Sequence, residues 1–373
     1  MYNTKKKVLY VYTSGREIRN SKENPKEFFY GYFNLKKENL DVAFIEIDKL
    51  FSKILYFSIT YWILKIKDTY ILKKFGIGLR GHMMFQHKKY FEKFDYIIGT
   101  NDSISLGLSD IKKKYNLNYK IIYLNMGLTS KLQDLKNNNF KYYKKARNII
   151  ETKLIKIEKV ISVGEGEYLF FKKHFNKLKN KFKFTPFGID HKFWSNYKGN
   201  NKKKFVLFVG SDSNRDFKMM IKISKNLPHT KFVFVTSRIK LDECNSNVTL
   251  YSGSFKKPNI SDSQLRKLYN QAYLTVIPVK KNTLMTSGQS VCMQAMSANC
   301  LVLTSKFPGL WDLKNLINKK NILITEHNTE SFCKIIIDVI KKDKPQIRKN
   351  AEKFIINKCS LKVFSNSLSN EII

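Results

Sequence analysis

Small and polar residues mark the start of one predicted helix in the second half of the chain. Residues 278–309 read as a strand end, a polar loop, an apolar helix, a turn and a strand. The loop supplies Ser287, Gly288, Gln289 and Ser290 where the helix begins. The first N–H groups of a helix have no partner within the helix and lie at the positive end of its dipole, so they suit a phosphate. An ordinary strand–helix–strand unit with a capping serine has the same residues, and the loop by itself does not separate the two interpretations.

A second helix start with the same features lies earlier in the chain. Gly210 ends the apolar segment FVLFVG, and a polar loop then leads to a predicted helix over residues 217–225. Arg215, in that loop, has a guanidinium that can bind two phosphate oxygens together, and Lys218 offers a second cation. Because the sequence has no acidic cluster with the spacing of metal ligands, we expect the two helix starts to hold a diphosphate without a metal. The alternative is that Arg215 pairs with its neighbour Asp216.

Apolar strands alternate with helices along the chain, which predicts an α/β fold with parallel, doubly wound sheets. The predicted strands are residues 8–12, 42–47, 96–99, 121–124, 160–163, 205–209, 231–235, 248–251, 274–277, 301–304 and 322–324. Besides the helix after Ser287, the predicted helices are residues 25–38, 104–115, 142–157, 167–178, 217–225, 262–271, 329–341, 344–357 and 361–370. A length of 373 residues exceeds the usual single core, so we expect two domains.

A polar stretch separates the two expected domains. Residues 196–204 are rich in Asn and Lys, and we assign them to a linker between residues 1–195 and residues 205–357. We expect a last helix within residues 358–373 to pack back on the first domain. Doubly wound sheets bind their ligands beyond the carboxyl ends of the strands. In the first domain this rim contains Ser14, Gly15, Arg16, Asn101, Asn125 and Gly127.

The net charge of +39 has two interpretations, a nucleic-acid partner or a surface adapted to other anions. Most of the 69 basic residues are lysines, and they are spread over both halves of the chain. Specific nucleic-acid readers concentrate their charge and favour Arg at base edges. We therefore expect no specific nucleic-acid partner, and we expect anionic lipid or anionic substrates instead.

Residues 51–91 combine aromatic and basic side chains, and Asp68 is the only acid between Phe51 and Tyr90. This composition suits a helix that lies in a membrane interface, although a helix packed on the sheet with its lysines in solvent has the same composition. The five cysteines have no paired spacing, which is typical of reduced thiols in a cytoplasmic protein. The start MYNTKKKVLYVY has no signal peptide, and the apolar run 54–64 is too short to span a bilayer. We therefore expect a cytoplasmic protein that binds peripherally to the inner face of the membrane.

Four segments occur in an order that resembles a known family. GIDHKFW, FVGSDSNRDFK, LYNQAYLTVIPV and SGQSVCMQAMSANCLVLTS are similar to segments of the retaining, family-4-like glycosyltransferases with the GT-B architecture. The resemblance is strong over about residues 158–325 and weak over residues 1–157. It implies two Rossmann-like domains that face a cleft, with a nucleotide-diphosphate sugar on the second domain and the acceptor on the first.

The resemblance also assigns roles to the residues singled out above. It implies that Arg215 and Lys218 stabilise the leaving diphosphate. The donor-binding residues it implies are Gly210, Ser287, Gly288, Gln289, Ser290, Gln294, Ser14, Gly15 and Arg16. Asn101, Asn125 and Gly127 fall on the acceptor side. The chain departs from the family at Ser211, where the family has an Arg, and at Thr286 and Gln294, where it has acids.

The function implied is the transfer of a sugar, with retention and without a cofactor or metal, to a glycan or lipid-linked acceptor in cell-surface polysaccharide biosynthesis. Two alternatives remain at this point. The chain could be a catalytically degenerate GT-B protein that serves as a binding or scaffold subunit, because Thr286 and Gln294 replace acids. It could also be a nucleotide-sugar epimerase or a phosphorylase.

Overall fold

The structure is a computed structural model that describes residues 5–50, 58–253 and 259–373. The chain forms two compact units. Unit 1 comprises Met1–Arg19, Phe29–Pro186 and Phe364–Ile373. Unit 2 comprises Asn20–Phe28 and Phe187–Val363. The short segment 20–28 thus groups with unit 2, although the chain on both sides of it belongs to unit 1.

Unit 1 contains a six-stranded sheet in which neighbouring strands are parallel. In chain order its strands are β1 Lys6–Tyr12, β2 Leu40–Glu46, β3 Tyr96–Gly99, β4 Lys120–Asn125, β5 Lys159–Ser162 and β6 Phe182–Phe184. Their order across the sheet is β2-β1-β3-β4-β5-β6. The order reverses between β1 and β3, so the loops after these strands border the crevice in which such sheets bind ligands.

Unit 2 contains a second parallel six-stranded sheet. Its strands are β7 Phe205–Val209, β8 Phe232–Val235, β9 Val248–Tyr251, β10 Ala272–Ile277, β11 Leu301–Ser305 and β12 Leu323–Thr325. Their order across the sheet is β12-β11-β10-β7-β8-β9. Here the order reverses between β7 and β10, and the loops after these two strands meet at that point.

The described residues also form fifteen α-helices. Those of unit 1 are α1 Tyr32–Leu35, α2 Ile59–Phe75, α3 Gly81–Met84, α4 Lys88–Phe91, α5 Asp102–Tyr115, α6 Leu128–Asn138, α7 Phe140–Leu154 and α8 Glu165–His174. Those of unit 2 are α9 His191–Ser195, α10 Phe217–Asn226, α11 Asp262–Gln271, α12 Gln289–Ser297, α13 Thr329–Lys341 and α14 Pro345–Lys358. The last helix, α15 Leu361–Ser369, begins in unit 2 and continues into unit 1.

Burial explains why these segments form strands and helices. Strand β7 is apolar throughout and every one of its residues is buried, as expected for a strand covered on both faces. Helix α10 buries Met219, Met220 and Ile223 on one face, at the spacing of a helical turn. These side chains pack with Phe208 and Phe234 in one hydrophobic core, which holds the start of α10 beside the end of β7.

The α/β fold with two parallel sheets confirms the fold class predicted from the sequence. The helix predicted over residues 25–38 is wrong. Residues 27–29 form a short 3₁₀ helix, and only Tyr32–Leu35 is α-helical. Tyr30 has φ 49° and Gly31 has φ 81°, and this left-handed backbone interrupts a helix. Helix α6 was not predicted from the sequence.

The units divide the chain at points other than the expected domain boundaries. Residues 187–195, assigned from the sequence to the first domain, group with unit 2. Residues 364–373 group with unit 1. None of the helices in the described residues combines the length and apolar character needed to span a bilayer.

Candidate functional site

Two glycines in unit 2 lie close to the side chain of one arginine. Gly210 follows β7 with φ 127°, and a Cβ atom placed on it would lie 3.1 Å from Nη2 of Arg215. Gly288 precedes α12 with φ 83°, and a Cβ atom there would lie 2.8 Å from the same Nη2 and 2.7 Å from Cγ2 of Ile277. Both positions therefore need glycine, for backbone conformation and for space.

A backbone bridge holds Arg215 in this position. Arg215 forms an isolated antiparallel bridge with Val279, which lies just after β10. The N–H of Asp216 donates to the carbonyl of Pro278 at 2.9 Å, and the N–H of Lys280 donates to the carbonyl of Asn214 at 3.0 Å. The loops after β7 and β10 are thus joined at the point where the strand order reverses.

Asp212 links Arg215 to the start of α12. Nε of Arg215 donates to Oδ2 of Asp212 at 2.8 Å, and Oγ of Ser287 donates to Oδ1 of the same carboxylate at 2.6 Å. Arg215 is only 1% exposed, and its Nη1 atom has no hydrogen-bond partner among the described residues. A buried guanidinium nitrogen without an acceptor is energetically costly, so an oxygen ligand at Nη1 would be favoured. We call Gly210, Asp212, Arg215, Ser287 and Gly288 the Arg215 cluster.

The alternative pairing of Arg215 with Asp216 does not occur. Oδ1 of Asp216 accepts from the N–H of Met219 at 2.9 Å, so this side chain caps α10. Its Oδ2 lies 3.2 Å from Nε2 of His327. Asp216 therefore organises the helix start, and Asp212 is the carboxylate that pairs with Arg215.

The other predicted donor residues near the cluster differ in exposure. Gln289 is buried in the first turn of α12, and its N–H donates to the carbonyl of Thr286 at 3.3 Å. Ser290, the next residue, is half-buried. Lys218, in the first turn of α10, is exposed to solvent.

Arg238 lies near the cluster and was not predicted from the sequence. It follows β8, and its Nε donates to the backbone carbonyl of Ser211 at 3.1 Å. Ser211 stands where the resembling family has an Arg. The neighbouring strand β8 thus places a second guanidinium beside this loop. The position of Arg238 just after a predicted strand was the sequence signal that could have identified it.

Gln294 lies on α12 in a buried polar cluster. Its Nε2 donates to Oε1 of Glu27 at 3.1 Å, and its Oε1 accepts from the hydroxyl of Tyr269 at 3.0 Å. Nε1 of Trp194 donates to the same Glu27 oxygen at 3.0 Å. The amide of Gln294 is therefore engaged at both ends by protein groups. All four residues belong to unit 2.

The carboxyl group of Glu27 is fully buried, and this raises its pKa to about 7. The hydrogen bond from Gln294 opposes this rise in pKa, and the nearby charge of Asp190 adds to it. Oε2 of Glu27 has no hydrogen-bond partner among the described residues. Glu27 was not predicted from the sequence, because it lies far from residue 294 in the chain, within the helix that was predicted wrongly.

In unit 1 the predicted Ser14-Gly15-Arg16 loop binds a carboxylate of the protein. The N–H groups of Gly15 and Glu17 donate to Glu46 at 3.2 and 2.8 Å, and the N–H of Arg16 donates to the same carboxylate. Ser14, before them, is half-buried. The Arg16 guanidinium lies 5.8 Å from the ring centroid of Tyr12. This loop thus has the N–H arrangement of an anion site, and Glu46 occupies it.

The residues expected on the acceptor side are parts of the scaffold. Asn101 caps α5 through a 3.0 Å hydrogen bond from the N–H of Ile104. Asn125 is fully buried, and its amide donates to Oγ of Ser162 at 3.3 Å. Gly127 starts α6 with φ 116°. Among the residues that the structure describes, no three His, Cys, Asp or Glu side chains form a group that could hold a metal ion.

The structure therefore brings together Gly210, Arg215, Ser287 and Gly288 in one cluster. Gln294 lies in a separate polar cluster with Glu27, and Lys218 is on the surface of α10. Gln289 and Ser290 lie in the first turn of α12, next to the cluster. The other predicted residues, Ser14, Gly15, Arg16, Asn101, Asn125 and Gly127, belong to unit 1.

No family model matches the sequence, and no curated protein matches it. Solved structures do match. Anabaena Alr3699/HepE in complex with UDP-glucose has a TM-score of 0.68 at 11% identity, over 98% of this chain and 99% of that one. WaaG, a glycosyltransferase involved in lipopolysaccharide biosynthesis, has a TM-score of 0.61 at 13% identity, over 98% of both chains. A putative UDP-N-acetylglucosamine 2-epimerase from Listeria monocytogenes has a TM-score of 0.56 at 11% identity, over 99% and 96%.

At these identities the likeness concerns the fold. The similarity extends over nearly the whole chain in each case, and it includes both six-stranded parallel sheets. The chain has the α/β GT-B fold of these structural neighbours.

Proposed function

We propose that this chain is a glycosyltransferase that binds a nucleotide-diphosphate sugar at the Arg215 cluster of unit 2. The observation that carries the proposal is the buried Arg215 guanidinium, whose Nη1 atom lacks an acceptor at the reversal point of the sheet. A diphosphate oxygen would supply that acceptor, and the adjoining N terminus of α12 favours the same charge. The UDP-glucose bound by HepE, which shares the fold, supports this ligand class.

In the proposed reaction, the bond between the anomeric carbon and the diphosphate oxygen breaks. The oxygen of an acceptor hydroxyl forms the new bond, and its proton passes to the departing nucleotide diphosphate. The negative charge that develops on the leaving group is stabilised by Arg215, by the N–H groups at the start of α12 and by Lys218. Such preorganised charges are commonly the largest contribution to catalysis.

We further propose that the transfer retains the anomeric configuration and serves cell-surface polysaccharide or glycolipid synthesis. The resemblance of the sequence to retaining enzymes supports retention. The role of WaaG in lipopolysaccharide biosynthesis supports the pathway class. A scaffold protein with this fold would bind the nucleotide without turning over the sugar donor. The Listeria neighbour shows that the fold is also found in a putative epimerase.

The proposal is tested by calorimetric titration of UDP and GDP into the wild type, Arg215→Lys and Arg215→Ala. A lysine retains the positive charge but cannot bind two oxygens in a plane, so Arg215→Lys should weaken binding and Arg215→Ala should abolish it. Arg348→Ala is the matched control, because Arg348 is also an arginine of unit 2 that pairs with one carboxylate, that of Asp343. Thermal unfolding of each variant checks that it is folded.

The outcomes separate the three functions. Nucleotide binding that is equal in the wild type and in folded Arg215 variants would refute the site. Slow hydrolysis of a nucleotide sugar in the absence of an acceptor would exclude a scaffold. Formation of an epimerised sugar that is still joined to its nucleotide diphosphate, in place of glycosyl transfer, would favour an epimerase.

A further inference from the structure

Helix α2 of unit 1 is apolar on two faces. Its inner face buries Tyr61, Leu64, Asp68, Ile71 and Phe75, at alternating spacings of three and four residues. This pattern packs the helix on the body of the unit. The helix therefore needs no further apolar residues for its own docking.

A second apolar stripe lies on solvent-exposed positions of the same helix. It consists of Ile59, Trp62, Ile63, Ile66 and Tyr70, which we call the outer stripe. Ile59 is 79% exposed, Ile63 58% and Ile66 68%. The spacing of Ile59, Ile63, Ile66 and Tyr70 places these side chains on one side of the helix. Large apolar residues that are contiguous and exposed mark a binding surface more often than an ordinary surface of a soluble protein.

Lysines accompany the outer stripe. Nζ of Lys65 lies 4.5 Å from a ring centroid of Trp62, and Nζ of Lys74 lies 4.8 Å from that of Tyr70. Lys67 and Lys73 are exposed on the same helix. Ammonium groups over aromatic rings at a surface allow the rings to enter an apolar layer while the charges stay at its polar boundary.

The acids nearby are already engaged. Asp68, the one acid of α2, is buried, and Nδ1 of His82 lies 2.7 Å from its Oδ2. The carboxylate of Asp110, on α5, is bound by Lys153 and lies 3.3 Å from Nζ of Lys67. The exposed part of α2 thus carries only positive charge.

A groove beside α2 extends this cationic surface. It has a volume of about 790 Å³, and its lining includes Lys67, Tyr70 and Ile71 of α2 with Lys113 and Lys114 of α5. Lys113 and Lys114 are exposed. The groove therefore presents ammonium groups above apolar and aromatic side chains, next to the outer stripe.

We propose that the outer stripe lies in the interface of a bilayer that contains anionic phospholipids, with the lysines of α2 and α5 against the headgroup phosphates. Apolar side chains flanked by lysines are the features by which a surface helix binds such a bilayer. The net charge of +39 attracts the protein to the same surface. A second copy of the chain is a poorer partner, because it would set lysines against lysines. This inference does not depend on the proposed sugar transfer.

Vesicle cosedimentation tests the surface. The wild type should bind vesicles of phosphatidylcholine mixed with phosphatidylglycerol, and bind phosphatidylcholine vesicles much less. Replacing Ile63 and Ile66 together by Ser should lower the partition coefficient roughly tenfold or more, because two apolar side chains no longer enter the interface. Ile155→Ser is the matched control, since Ile155 is also in unit 1 and is 53% exposed. It should bind as the wild type does.

A charge series tests the lysines. Lys65→Gln with Lys73→Gln should weaken binding to the anionic vesicles several-fold and reduce its dependence on salt. Lys172 and Lys173 are exposed on α8. Replacing both by Gln gives a variant with the same net charge as the first, and it should weaken vesicle binding less. Equal losses in the two variants would overturn the proposal, because binding would then depend on total charge alone.

Fluorescence gives a local readout. The chain has three tryptophans, and Trp194 and Trp311 are buried, so a spectral change on vesicle binding reports Trp62. Its emission should shift to shorter wavelength with anionic vesicles, and the shift should vanish in Trp62→Phe. Vesicle binding without any shift would overturn the proposal. The proposal would also be overturned if the Ile63 and Ile66 double variant bound vesicles as well as the wild type does. A wild-type dimer that this variant dissociates, with no vesicle binding, would assign the stripe to contact between copies.

Discussion

The side-chain amide of Gln294 donates a 3.1 Å hydrogen bond to the carboxylate of Glu27, which lies 267 residues earlier in the chain. Gln294 stands where the resembling family has an acid, and the structure gives a physical reason for the change. Two carboxylates at this distance in the interior would repel each other and lose water without compensation. With the acid at Glu27, an amide at residue 294 supplies the donor that the acid needs.

Glu27→Gln should remove a pH dependence of stability. Because burial raises the pKa of Glu27 to about 7, the unfolded chain loses this proton at lower pH than the folded one. The contribution of the neutral carboxyl to stability is therefore present at acid pH and is lost as pH rises toward and through 7. Between about pH 5 and about pH 8 the wild type should lose roughly 2 kcal/mol of unfolding free energy from this group.

Urea unfolding at these two pH values measures the difference between wild type and Glu27→Gln. Glu23→Gln, an exposed change in the same segment, should keep the wild-type pH dependence. The same slope in the wild type and Glu27→Gln would contradict the assignment of this titration to Glu27.

Gln294→Glu should destabilise the protein, because it places a second carboxyl against the buried Glu27. The expected loss is about 3 to 5 kcal/mol at neutral pH, the usual cost of an uncompensated buried charge. Exchanging the two side chains in the double variant Glu27→Gln with Gln294→Glu restores one donor and one acceptor. It should recover roughly half of the loss or more. Chemical denaturation of the four proteins gives the coupling, and additive losses would show that the two residues do not interact.

Gly288→Ala should weaken nucleotide binding and lower stability. The new methyl group would approach Nη2 of Arg215 and Cγ2 of Ile277, at a position where φ is already left-handed. We expect a loss of roughly 2 to 4 kcal/mol, from about 1 to 2 kcal/mol of backbone strain and a further overpacking cost. Gly76→Ala measures the backbone strain alone, since Gly76 has φ 66° and open space at its Cβ position. Thermal unfolding and UDP titration compare the two variants. Equal losses of stability and of UDP binding in both would refute the close approach of the residue 288 methyl group to Arg215 and Ile277.

Lys218→Gln should weaken UDP binding several-fold if Lys218 provides the second cation of the proposed diphosphate site. The effect should shrink at high salt, because Lys218 is exposed and its field is screened. Lys222→Gln is the control one turn further along α10, where the lysine is also exposed. Calorimetry at low and high salt measures both. If the two variants bind alike, the role assigned to Lys218 is wrong.

Local patterns were sufficient for much of the fold. The strand predicted at residues 96–99 and the helix predicted at residues 329–341 have the bounds observed for β3 and α13. In each, the hydrophobic period and the turn residues at the ends point to the same structure. The helix predicted over residues 25–38 was wrong because the conformation of these residues depends on distant contacts. A Cβ atom on Gly31 would lie 3.1 Å from Cβ of Ser365, so this turn is shaped by the end of the chain.

The sequence by itself determined the α/β class and the two glycine-containing helix starts, because the types and spacing of neighbouring residues carry that information. Only the tertiary structure decided the partners of the polar side chains. It paired Arg215 with Asp212 and not Asp216, and it brought Glu27 to Gln294. Such pairs form where the packing of strands and helices excludes water, and that packing depends on contacts between residues far apart in the chain.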